Sequence, residues 1–404
     1  MKKKISQICV LVILSLFFAT PTFAAAKSGQ KCLKAGAVET VGTKKFTCLK
    51  SGKKLIWDKG KDISKVSNGS SQVLTPTKQP SPTPTPTVPS EKYPSAPSSF
   101  EDLEANYEGI PYSSWRSAQK NLELYKDSNV KISFKFGPNT KERYPNQITE
   151  DAVRLGSRVM GAQKQPTELR FIAYSRDDVD WARKEAEQYV SPFSLGNSLS
   201  DQAAEKCAGI DCDGAVTNIA SGIGLVLVGV PTPVDRYRIQ QFKGQNDAHE
   251  FVHAVQGMIF ASQGGKPPAT RTPCWFSEGQ PQAISIVSTS KTYSDYVSAR
   301  KGWVVNNRWL LKDFEPESIE EFMLAGMKVP CPAFTTAMNF SLGYIIVDAM
   351  VAAGGIDKTF DIQKEILTGL SFEDAFKKVY GLSWSDGSKI LARVASRTYK
   401  DLKQ

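Results

Sequence analysis

Both histidines of this 404-residue chain sit in one five-residue string, His249-Glu250-Phe251-Val252-His253. Two histidines placed at random would land four apart, with glutamate directly after the first, in roughly one arrangement in a few thousand. No other feature constrains the fold as tightly. Residues four apart stack on one face of a helix, so a helix here carries both imidazoles to one point, where they reach a single ion. Glu250 then faces water on that ion, in the position of a general base. The flanking residues agree with a helix. From about Tyr237 to Phe260, Ala248, Val252, Val255 and Ile259 form an apolar stripe at helical spacing. The histidines border that stripe, as they would on a helix lying under a cleft.

A catalytic zinc takes three protein ligands and leaves a fourth position to water. No histidine is left to supply the third, so it must be a carboxylate or a cysteine. Trp275-Phe276-Ser277-Glu278-Gly279 stands out, with Glu278 twenty-five residues past His253. Ser277 as a helix cap and Pro281 in the first turn would put Glu278 near the start of a second helix. Gln282, one turn on, is placed to hold the other ring nitrogen of a histidine. Trp275 and Phe276 read as core before they read as a substrate platform. Asp247, beside His249, reads as solvating its helix, with support of the ligands as the sharper alternative.

The string H-E-x-x-H followed by aromatic-aromatic-x-Glu-Gly resembles the gluzincin, or peptidase MA-like, zinc metallopeptidases. Phe340-Ser341-Leu342-Gly343 with Val347, Met350 and Gly354-Gly355 extends the resemblance, as does the run Ser371 to Ser383. The likeness covers roughly residues 215–400 and is strongest over 248–283. It implies a zincin-like body in which His249, His253 and Glu278 bind Zn2+ and Glu250 is the catalytic base. It also implies that the strand at 224–230 is the sheet edge along which an extended peptide lies. Two departures stand out. The gap between His253 and Glu278 is longer than in many gluzincins. Where relatives often carry a tyrosine for the oxyanion, this chain has Phe340, with Tyr344 one turn on as the candidate.

The ends of the chain set the compartment. Met1-Lys2-Lys3-Lys4, the apolar run Ile5 to Ala19 and small residues up to Ala26 read as a signal peptide over 1–26. The expectation is a chain working outside a bacterial cell, with no later stretch long and apolar enough to span a bilayer. Of seven cysteines, Cys9 leaves with the signal. The even remainder suits disulfides, and nearness along the chain favours Cys32–Cys48, Cys207–Cys212 and Cys274–Cys331. Cysteine ligation of a structural metal is disfavoured by the absence of C-x-x-C pairs.

The net charge of +10 belongs to one segment. Residues 27–65 hold eleven lysines against Glu39, Asp58 and Asp62, and the chain beyond is close to neutral. Residues 27–62 read as a small β module stapled by Cys32–Cys48. Its lysines bind an anionic cell-envelope polymer or lipid surface, or they simply solvate a fold with little core; both readings stay open. Nucleic acid is not an expected partner. Residues 63–97, with Pro80-Ser81-Pro82-Thr83-Pro84-Thr85-Pro86-Thr87, read as an extended linker, either a stalk through a cell wall or a plain spacer.

Residues 98–404 are the body, expected as an αβ lobe over 98–235 and a helical lobe with the metal site over 236–404. Strands are expected at 130–136, 168–174 and 224–230, with helices at 148–160 and 177–189 and mostly helices after 334. The fold class is therefore α+β. The function expected is an exported zinc metallopeptidase acting on a peptide or protein. The alternatives are a zinc amidase acting on cell-wall cross-links and a non-catalytic envelope-binding protein on the same scaffold.

Overall fold

A computed structural model of the chain describes residues 28–32, 38–41, 44–51, 54–62, 93–142, 145–189, 198–209, 212, 214–231, 244–268, 270–307, 313–329 and 337–401. The expected signal peptide and the linker up to residue 92 lie outside the described residues. The chain forms two compact units, Met1–Val88 and Pro89–Gln404.

The first unit is an antiparallel sheet. Strand β2 (Lys44–Ser51) pairs with β1 (Val38–Val41), with β3 (Lys54–Trp57) and with the short β4 (Lys61–Asp62). The period-two alternation of β2 puts Phe46 and Cys48 on a buried face and leaves Lys45 and Leu49 exposed on the other. A core this small needs help. Cys48 is bonded to Cys32, closing sixteen residues with Cα atoms 5.9 Å apart, a closure worth about 3 kcal/mol. The Asp58 carboxylate accepts from the backbone N–H groups of Thr47 and Gly60 at 3.0 and 2.9 Å, which locks the turn between β3 and β4.

The body is built on a mixed four-stranded sheet in the order β5-β6-β8-β7, from β5 (Lys131–Phe136), β6 (Glu168–Tyr174), β7 (Ala215–Ala220) and β8 (Ile223–Gly229). The first three in that order are parallel, and β7 runs antiparallel to β8. The β7–β8 turn is the pair Ser221-Gly222, both at positive φ, as a two-residue hairpin requires. β8 therefore lies inside the sheet, and the edge beside it is β7. The family resemblance implied an edge at 224–230; the run is apolar because β8 is covered on both faces, which is a sign of an inner strand.

Helices cover both faces. α1 (Ile110–Leu124) and α2 (Asn146–Val159) precede α3 (Val179–Glu187) and α4 (Leu199–Glu205). Ile172, Tyr174, Leu225 and Leu227 of the sheet meet Ala182, Ala186, Leu199 and Ala203 on one face. On the other, Leu169, Phe171, Val226 and Val228 join the main core. That core is completed by α5 (Gln245–Ile259), α6 (Cys274–Thr289), α7 (Tyr293–Asn307), α8 (Pro316–Gly326), α9 (Ala337–Gly354), α10 (Ile356–Leu367), α11 (Phe372–Tyr380) and α12 (Trp384–Asp401).

Three expectations about organisation change. The body is not split at residue 235, because residues from Phe100 to Tyr399 share one apolar core. It also starts before residue 98: Tyr93 stacks on Tyr112 with centroids 4.2 Å apart. Finally, α9 is long and apolar enough to cross a membrane, but 72 % of its span is buried inside the body as the central helix. Cys207 is bonded to Cys212, as nearness favoured. Cys274 is disulfide-bonded as well; its expected partner Cys331 lies outside the described residues. Disulfides are compatible with a location outside the reducing cytosol.

Candidate metal centre

α5 carries His249 and His253 on successive turns, and their Nε2 atoms stand 3.1 Å apart. The ring planes meet at 74°, so the nitrogens converge and the rings do not stack. Glu278 on α6 brings Oε2 to 3.2 Å from Nε2 of His253 and 3.5 Å from Nε2 of His249. Ligands of a tetrahedral ion with bonds of roughly 2.0–2.1 Å stand about 3.3 Å apart. The donor triangle has the size a four-coordinate metal ion needs, and the three groups form a cluster able to hold a metal. Two imidazoles and one carboxylate suit a transition-metal ion better than calcium or magnesium, which take oxygen ligands.

Two features of α6 place Glu278. The helix starts earlier than the sequence suggested. Pro273 is its N-cap, and the Pro273 carbonyl accepts from the N–H groups of Phe276 and Ser277. Ser277 is thus inside the helix, not its cap, and Pro281 is inside as well. The second feature is close packing on α9. A Cβ on Gly279 would lie 2.3 Å from the carbonyl oxygen of Gly343, and one on Gly343 would lie 2.3 Å from that of Trp275. Glycine at both positions lets the backbones touch and brings the residue before Gly279 over α5.

The charges follow from this convergence. Burial opposes a charged His253, but the Glu278 and Glu250 carboxylates and the Gln256 hydrogen bond together outweigh it and raise His253 to about 9 without a metal. Burial likewise opposes a charged Glu278, and the His253 charge with hydrogen bonds from both histidines outweighs it, holding the carboxyl far below its usual range. The site is thus a preformed ion pair of Glu278 and protonated His253, in which a divalent cation would take the place of the proton.

Glu250 faces a cleft of about 330 Å³ whose walls include Lys206, Ala215, His249, Trp303 and Phe340. Its Oε2 accepts a hydrogen bond of 2.7 Å from the Thr217 hydroxyl on β7. One carboxylate oxygen is therefore held by the sheet edge, and the other is left to act on a ligand in the cleft. Phe340 packs against the His249 ring at 5.9 Å between centroids, and the indole N–H of Trp303 donates to the Phe340 carbonyl at 3.3 Å.

The structure brings His249, Glu250, His253 and Glu278 together and leaves Tyr344 apart. Tyr344 is fully buried and does not line the cleft. Its phenol sits beside Tyr296, Arg300 and Asp348, where burial pushes it well above its usual range. In that cluster Arg300 Nε and the Tyr296 hydroxyl donate to Asp348 at 2.8 and 2.6 Å. One helical turn beyond Phe340 carries residue 344 past the cleft floor into the core.

Asp247 is buried and accepts from Thr149 Oγ1 at 2.7 Å, so it does not solvate the helix. Trp275 is core, as expected, with its N–H on the Met323 carbonyl. Gln282 lines the cleft, and the histidine partner is Gln256, whose Oε1 lies 2.9 Å from His253 Nδ1. Sequence reading missed Gln256 although it stands three residues past His253 on one helix face, a spacing that signals contact. Thr217 had no such signal, since it arrives from another element.

No protein-family model and no curated protein matches this chain.

Proposed function

We propose that the chain is an exported, zinc-dependent metallopeptidase with a zincin-like body. The observation that carries this reading is the donor triangle of His249, His253 and Glu278, with sides of 3.1 to 3.5 Å, beside a cleft that Glu250 lines. The resemblance of the H-E-x-x-H and Glu-Gly strings to gluzincins agrees with it, and the disulfides agree with export. The bound ion would polarise a scissile carbonyl and acidify water. Glu250 takes the proton from that water and passes it to the leaving amine. Thr217 holds one oxygen of Glu250 so that the other stays aimed into the cleft. β7, the edge strand of the described sheet that borders the cleft, offers backbone N–H and C=O groups to an extended peptide. The test is metal analysis of the purified mature protein together with cleavage of a peptide library, with and without a chelator. One zinc per chain and chelator-sensitive cleavage are expected. A chain that binds no divalent metal would end the proposal.

The first unit supports a second role, attachment to an anionic cell-envelope polymer. On its exposed sheet face Lys45 stands directly opposite Lys61, and Lys31 and Lys54 share that face with the half-exposed Leu49. Like charges directly opposed cost stability, and a bound polyanion would remove the cost. Retention of the full chain on an immobilised polyglycerol phosphate should fall at least tenfold in the double variant Lys45→Glu, Lys61→Glu, and equal retention would refute the role.

A further inference from the structure

The Gln256 side chain has three polar contacts. Its Nε2 lies 3.1 Å from the Ser277 carbonyl oxygen and 2.8 Å from Gln280 Oε1, and its Oε1 lies 2.9 Å from His253 Nδ1. A carbonyl oxygen only accepts, so the amide end facing Ser277 must be the NH2 group. A second anchor gives the same orientation. The Thr359 hydroxyl spends its proton on the Ile356 carbonyl at 2.7 Å, so it accepts from Gln280 Nε2 at 2.8 Å. Gln280 then turns its oxygen toward Gln256. Both lines leave Gln256 Oε1 as the atom before His253, and an amide oxygen there demands a proton on Nδ1.

The Ser277 carbonyl is free to take part because of Pro281. Inside a helix that carbonyl would accept from the N–H four residues on, and proline has none. Ser277 is also the residue before Glu278. One side chain on α5 thus ties down the imidazole of one donor and the backbone next to another.

We infer that Gln256 is a positioning residue of the metal centre: it holds His253 with its proton on Nδ1 and its lone pair on Nε2, and Pro281 frees the carbonyl that orients it. The inference rests on reading the site as a metal centre, and it adds a residue that acts through a ligand without touching the ion. The Gln256–Gln280–Thr359 line runs from α5 through α6 to α10, so the orientation is set by packed core and not by solvent.

The chain has only two histidines, so long-range 15N–1H correlation spectra of the full-length protein resolve each ring. With zinc(II) bound, His253 should show a protonated Nδ1 and a ligating Nε2. In the metal-free protein, where Nε2 faces the Glu278 carboxylate at 3.2 Å, the doubly protonated ring should show its Nδ1–H in a hydrogen bond. A zinc-bound His253 without a proton on Nδ1 overturns the inference whatever any variant does. In chelator competition, Gln256→Met should weaken zinc binding ten- to a hundred-fold, the usual effect of losing such a partner. Gln256→Glu keeps an acceptor for His253 but sets its second oxygen against the Ser277 carbonyl, so it should lose less than Gln256→Met. Equal losses in both variants, or none in Gln256→Met, would also overturn it. A wild-type protein with a hydrogen-bonded Nδ1–H and no zinc affinity would sink the metal reading while leaving the orientation of His253 standing.

Discussion

Gly279 and Gly343 face each other across α6 and α9 so closely that a Cβ on Gly279 would sit 2.3 Å from the Gly343 carbonyl oxygen. The Glu-Gly string is therefore a packing device as much as a ligand motif. Gly279→Ala must push the helices apart and carry Glu278 with them. Overpacking of this kind costs about 1–3 kcal/mol. Calorimetric unfolding of the metal-free protein should show that loss, and zinc affinity should fall with it. A variant with unchanged melting and unchanged affinity would show that the helices have slack the contact does not predict.

Glu250→Gln should retain zinc and lose hydrolysis by about 100- to 10,000-fold, the range for a general base. His249→Ala removes one corner of the donor triangle and should lose both. Metal analysis beside cleavage of one peptide separates the two outcomes. Full hydrolysis by Glu250→Gln would remove Glu250 from the mechanism.

The hydroxyl of Thr217 is held to Glu250 Oε2 at 2.7 Å. Thr217→Val keeps the shape of the strand residue and deletes this bond. The expected result is a fall in kcat of roughly tenfold, about 1.4 kcal/mol, with zinc affinity unchanged. Unchanged kcat would mean that the base is oriented without the sheet edge.

Zinc binding should be linked to pH through His253. Its value of about 9 in the metal-free fold lies above the ordinary 6.5. The stability it contributes is complete below about 6.5 and is lost as pH rises through 9. Glu278, held below its ordinary 4.5, contributes stability above that value and loses it on acidification. Zinc must displace the His253 proton below pH 9, so apparent affinity should climb about tenfold per unit from pH 7 to 9 and then level off. Calorimetry in buffers of different ionisation enthalpy should count one proton released at pH 7. A flat affinity over that interval would refute the linkage.

Much of the site is legible in the sequence because its first part is local. His249, Glu250 and His253 share one helix, and helical geometry alone decides that the imidazoles meet. Cys32–Cys48 and Cys207–Cys212 are legible for the same reason of short separation. Strands β5, β6 and β8 show in their β-branched and aromatic runs. Glu278 is legible only through its string; its arrival at the two imidazoles depends on how α6 crosses α5.

What tertiary structure alone decided is whatever depends on neighbours brought from far along the chain. The family resemblance implied an edge at 224–230, yet the hairpin at Ser221-Gly222 lays β7 outside β8 and hands the edge, with Thr217, to a less apolar segment. Tyr344 follows the aromatic spacing of the helix but ends in the Arg300–Asp348 cluster, because the depth of a turn in the core is not written in its period. Gln256, Gln280 and Thr359 are separately unremarkable polar residues. They become one line of hydrogen bonds only because buried amides must find partners among whatever the fold sets beside them.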